Sequence, residues 1–139
     1  MNRNTIVSCI VLAFVLSFLS GTVLAQSSLI WDSSAENNGA TMESTYTELY
    51  FGDTVDQSFE VRVANAPPNQ LLKVFIRHAA IGVIATNANG FGRLTKGRLG
   101  IPLDGDGRPD SPRIETGDKI RIVDVRQGVT ILVGTFMPR

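Results

Sequence analysis

The chain has 139 residues, with 13 Lys and Arg balanced by 13 Asp and Glu, one histidine and one cysteine. No basic footprint marks it for nucleic acid, a single cysteine gives no internal disulfide framework, and one His with one Cys falls short of a zinc ligand set.

Residues 1–25 have the plan of a secretory signal peptide. Arg3 is the positive region and Ile6 to Leu19 the apolar run. Ser20-Gly-Thr-Val-Leu-Ala25 then places Val23 and Ala25 at the small-residue positions before a cut. The apolar run is shorter than the roughly 20 residues of a spanning helix, which favours cleavage after Ala25 over an uncleaved anchor. Cys9 would leave with the leader. Removing 25 residues from 139 leaves 114, the size of one domain able to bury its own core. An exported chain without disulfides points to a periplasmic or extracellular bacterial setting, with no membrane span after cleavage.

Residues 26–45 are polar and rich in Ser, Asn and Gly, with Leu29-Ile-Trp31 their only apolar patch. They read as a polar N-terminal arm ahead of a domain at 46–139. Tyr46 to Phe51 is the first candidate strand and Gly52-Asp53 a turn. Ser58 to Ala64 alternates cleanly, with Phe59, Val61 and Val63 on one face. Pro67-Pro68 ends it, because proline donates no ladder bond. Leu72 to Arg77 and Ile81 to Thr86 follow, then a turn at Asn87 to Gly90. Phe91 to Thr95 and Leu99 to Leu103 are short, weak strands. Asp118 to Arg126 alternates up to Val123, where a one-residue slip suggests a β-bulge. Gln127-Gly128 turns into a last strand over Val129 to Phe136. No segment has a helical period. The expected fold is therefore all-β: a single antiparallel β-sandwich of about seven strands, with a small barrel as the alternative.

The stretches LLKVFIRHAAIGVIATNANGFGRL and IETGDKIRIVDVRQGVTILVGTF resemble a repeat module of secreted bacterial proteins. Gly82, Thr86, Gly90, Gly92 and Leu94 match its first hairpin. Gly117, Asp118, Ile120, Ile122, Gly128, Leu132, Gly134 and Phe136 match its second. The resemblance covers about residues 58 to 136 and implies an immunoglobulin-like or transthyretin-like sandwich without assigned catalytic activity. The module usually carries Asp-Gly or Asn-Gly between its first two strands. This chain has His78-Ala79-Ala80, so a longer or different turn is expected there.

Candidate sites are few. Asp104, Asp106 and Asp110 have the spacing of calcium-loop oxygens, with Glu115 at the twelfth position. Arg108 and Pro109 occupy the places of a ligand and the turn glycine, so an EF-hand is rejected and only a looser calcium site remains. Calcium is the one cofactor the sequence admits. Asp-Gly runs also form ordinary turns. His78 is expected on an exposed hairpin tip, without a nucleophile or orienting acid for catalysis. Trp31, Tyr46 and Tyr50 would contact a sugar if exposed in one plane, and otherwise fill the core. Glu43, Glu48 and Glu60 alternate with apolar residues, as on a solvated face. Residues 26–60 hold seven acids and no Lys or Arg, whereas 61–103 hold Arg62, Lys73, Arg77, Arg93, Lys96 and Arg98 and no acid. Cross-strand pairing is the simplest use of that segregation; a dipolar docking surface is the alternative. Together these features point to a secreted, non-enzymatic binding or structural module at the cell surface or outside the cell, with protein or glycan as the expected partner if it binds. The alternatives are a calcium-stabilised or carbohydrate-binding module and a small acid-catalysed hydrolase.

Overall fold

The computed structural model describes residues 27–139; the leader-like segment 1–25 lies outside the described residues. The described chain is all-β and without helix. Its elements are β1 (Ser27–Asn37), β2 (Ala40–Phe51), β3 (Thr54–Ala64), β4 (Leu71–Ile76), β5 (Ala79–Ala85), β6 (Gly92–Pro102), β7 (Lys119–Asp124), β8 (Val129–Thr135) and β9 (Met137–Pro138). They form a five-stranded sheet in the order β6-β3-β2-β1-β9 and a four-stranded sheet in the order β5-β4-β7-β8. Every pairing is antiparallel.

The stretch read as an N-terminal arm is a correction: residues 27–45 form β1 and the first half of β2. Their inward positions are Trp31, Ser33, Ala40, Met42 and Ser44, all buried. Three of those five are small or hydroxylic, so the alternation carries little apolar signal. Asn38-Gly39 joins the two strands, both residues at positive φ (50° and 82°), as a two-residue hairpin turn favours. The antiparallel sandwich is as expected, with nine strands among the described residues against about seven anticipated. Phe91 to Thr95 and Leu99 to Leu103, read as separate pieces, belong mostly to one long strand, β6. Its register against β3 slips opposite Val55 and Gln57, where Gly100 takes φ 63° and donates its N–H to Asp56 Oδ1 at 2.7 Å.

Between β4 and β5 the turn is two residues, since Ile76 pairs with Ala79. Arg77 supplies the positive φ, 54°, and its Nε donates to Asp118 Oδ1 at 2.6 Å. A side-chain anchor thus does the work expected of glycine. The slip anticipated at Val123 is present, but the extra residue is Ile131 on β8. β7 keeps its alternation and turns Asp124 inward, to 2% exposure.

The core lies between the sheets. Phe136, Met42, Leu72, Ile84, Ile120, Ile122 and Leu132 are its largest fully buried side chains. At one corner the two sheets touch along β5 and β6. A Cβ at Gly82 would fall 2.9 Å from Leu94 Cδ2, and one at Gly92 would fall 2.3 Å from Ile84 Cγ2. These glycines let the two edges close on each other.

Two glycine substitutions separate backbone conformation from packing. Gly128 sits at φ 66° with open space around it, whereas a Cβ on Gly90 (φ 72°) would lie 2.1 Å from the Ala66 carbonyl oxygen. In urea denaturation, Gly128→Ala should cost about 1–2 kcal/mol for the left-handed backbone alone. Gly90→Ala should cost about 2–5 kcal/mol, because overpacking adds to the same conformational penalty.

Candidate functional site

Strand geometry puts Tyr46, Glu48 and Tyr50 on one face of β2, and that face points inward. Glu48, expected on a solvated face with Glu43 and Glu60, is instead fully buried; Glu43 is exposed and Glu60 half-buried. Four donors explain why a carboxylate is tolerated there. The Tyr46 hydroxyl donates to Oε1 at 2.7 Å and the Tyr50 hydroxyl to Oε2 at 2.7 Å. Arg113 Nη2 reaches Oε2 at 2.7 Å, and Gln57 Nε2 faces Oε1 at 3.5 Å. Burial and the hydrogen bond to Glu48 push the Tyr50 hydroxyl up to about 12 and move Tyr46 in the same direction. Both phenols keep their protons and serve as donors.

Arg113 comes from the long connection between β6 and β7. Its guanidinium carbon stands 5.6 Å from the Trp31 ring centre, its Nε meets no acceptor among the described residues, and Trp31 Nε1 donates to Thr116 Oγ1 at 3.2 Å. Ser111 Oγ donates to Gln57 Oε1 at 2.8 Å. The connection is thereby fastened across the end of the five-stranded sheet.

Beside this network the two sheets diverge and leave an open cleft of about 650 Å³, within the usual range of ligand sites. Phe59, Ile76, Ile81 and Ile114 give it an apolar floor. Arg77, Lys96, Arg98 and Arg113 supply its charge, His78 adds an imidazole, and among the described residues no Asp or Glu lines it. Two of the cations are neutralised nearby: Arg113 by Glu48 and Arg77 by Asp118 and Glu115, at 2.6 and 3.7 Å. Of the segregated charges, Glu60 pairs across the strands with Arg93 and along its own strand with Arg62, while Asp32 pairs with Arg139, outside the basic block. Among the described residues Lys96 and Arg98 form no ion pair. A second hollow, of about 630 Å³ near β1 and β8, offers the buried hydroxyls of Ser33 and Ser44, and its one cation among the described residues, Arg139, is already bound to Asp32.

The residues singled out from sequence are dispersed. Trp31 and Tyr46 are buried core residues whose ring centres lie 5.6 Å apart, so neither offers a free face to a sugar. Tyr46 does reach the cleft, as does His78 from the β4–β5 turn; Tyr50 belongs to the Glu48 network. Asp104 organises its own loop: its Oδ1 accepts from the Asp106 and Arg108 N–H groups at 2.9 and 2.8 Å. Among the described residues no group of three or more His, Cys, Asp or Glu is arranged to hold a metal ion. Local alternation does not disclose the cleft. Its trace in the sequence was the pair Lys96 and Arg98, two residues apart on a strand and so on one face. No protein-family model and no curated protein matches the chain.

Two experiments probe the buried network. Arg113→Met strands the Glu48 charge and should cost about 3–5 kcal/mol in urea denaturation, whereas Glu48→Met combined with Arg113→Met should recover most of that loss. The second concerns alkali. Tyr50 holds its proton longer folded than unfolded, so the folded state binds more protons between about pH 10 and 12 and stability falls across that window. Thermal melts from pH 9 to 12 should drop more steeply for the native chain than for Tyr50→Phe.

Proposed function

We propose that the protein is an exported, non-catalytic β-sandwich module that binds an anionic partner in the cleft between the β4–β5 turn and β6. The observation that carries this reading is the pairing of an apolar floor with Lys96 and Arg98, two cations without a counter-charge in a cleft lined by no acid. A desolvated apolar floor strengthens attraction to an anion held beside it, and a one-signed rim steers such a partner inward. Export rests on the leader pattern of residues 1–25 and agrees with the resemblance to secreted modules. The non-catalytic reading rests on how the buried acids are used. Glu48 is saturated by four donors. Asp124 stands at the far end of β7 and accepts from the Arg126 and Gln127 N–H groups of its own turn, at 2.8 and 3.1 Å. They do not make the facing pair that two-carboxylate hydrolysis requires.

Anilinonaphthalene sulfonate, an apolar ring system carrying one anion, is a direct probe of this chemistry. The folded protein should bind it with enhanced, blue-shifted emission, and Lys96→Glu with Arg98→Glu should weaken binding about tenfold or more at unchanged circular dichroism. No binding, or equal binding by both proteins, overturns the reading.

A further inference from the structure

The two free cations stand on an edge strand, and the direction they point is informative. Opposite residues of an antiparallel pair share a face. Lys96 pairs with Phe59 and Leu94 with Val61, while Arg98 stands against Gln57; all three β3 partners are buried. The inward face of β6 therefore runs Leu94, Lys96, Arg98, changing from apolar to cationic where the sheets diverge. Its outward face carries Gly97 and Leu99, the latter 82% exposed. All six residues from Thr95 to Gly100 are exposed. Among the described residues β6 ends its sheet, so among them its outer side presents a row of unpaired N–H and C=O groups. That row stops at Gly100, whose N–H is bonded to Asp56.

We infer that the outer edge of β6, from Thr95 to Leu99, takes up an extended peptide from another protein as a tenth strand, and that this peptide carries acidic side chains at alternate positions. The inference rests on the anion-binding reading of the cleft and names its partner. A ligand able to use an open ladder must bring its own amides, and an added strand obtains its affinity from them. Its register follows from period two. Side chains on its inward face lie beside Lys96 and Arg98, two residues apart, and enter the cleft; acids there meet the uncompensated charges. Side chains on its outward face lie beside Gly97 and Leu99, and apolar ones cover the exposed leucine. Inward-pointing charge on an edge strand also discourages pairing between copies. That role needs charge of either sign, whereas recognition needs positive charge, and the difference gives the test.

The probe is a fluorescently labelled, end-blocked heptapeptide of alternating glutamate and valine, followed by anisotropy, with a lysine–valine heptapeptide as its counterpart. The native protein should bind the acidic peptide and discriminate against the basic one. Lys96→Glu with Arg98→Glu keeps the edge charged and should exchange that preference, weakening the acidic peptide about tenfold or more. Two further peptides, N-methylated at every glutamate or at every valine, test the ladder without altering the protein. One should bind at least about tenfold more weakly, because alternate N–H groups point at the neighbouring strand. Equal binding by both methylated forms, or an unchanged preference in the reversed variant, overturns the inference. If the acidic peptide fails while anilinonaphthalene sulfonate still binds through Lys96 and Arg98, the strand inference falls and the anion-binding reading stands. If both fail, both fall.

Discussion

The carboxylate of Glu48 is the constraint around which one end of the molecule is arranged. A fully buried charge is tolerated only when it is paired and hydrogen-bonded, and each donor that meets this one fixes a different piece of chain. Tyr46 and Tyr50 come from its own strand, Gln57 from the neighbouring strand and Arg113 from a connection 65 residues away. Because Arg113 must arrive there, the segment between β6 and β7 has to cross the sheet end. In crossing it sets Ile114 into the core at 6% exposure and ties Ser111 to Gln57. Those positions floor and wall the cleft, so its shape is inherited from a polar network and not from apolar packing alone.

What the sequence disclosed depended on whether a strand's inward residues are apolar. β3 was plain because Phe59, Val61 and Val63 alternate with polar neighbours. β1 and the start of β2 were hidden because Ser33 and Ser44 occupy positions where apolar residues would have advertised the period. Asn38-Gly39 was the better clue, a hairpin dipeptide in a stretch read as an arm. The burial of Glu48 is hidden for a different reason. Alternation tells which residues share a face but not which face is inside, and Tyr46 and Tyr50 at two residues on either side were the sign that hydroxyl donors accompany the acid. Arg113 and the cleft were beyond reach of local pattern, since both depend on the path of an irregular loop.

The glycines on which the resemblance was drawn have physical roles in this molecule. Gly82 and Gly92 have no side chain because Leu94 and Ile84 occupy the space where the β5 and β6 edges meet. Gly90 brings its backbone against Ala66, whose N–H it receives at 3.1 Å. Gly117 and Gly128 take positive φ in turns. Such positions specify how a sandwich closes and are silent about what it binds. The cations on which the proposed binding rests are side chains outside the motif, on the stretch of β6 that the corner contact leaves uncovered.

That corner also bears on solubility. β5 contains no charged residue; it reads Ala-Ala-Ile-Gly-Val-Ile-Ala over Ala79–Ala85, a composition prone to stacking against other chains. Lys96 runs across its middle, with Cε 3.4 Å from where a Gly82 Cβ would be. One lysine therefore both lies against this uncharged edge strand and charges the adjacent cleft. A short side chain at this position would uncover β5 and discharge the cleft in the same step, so one residue ties the cover of an edge to the charge of a groove.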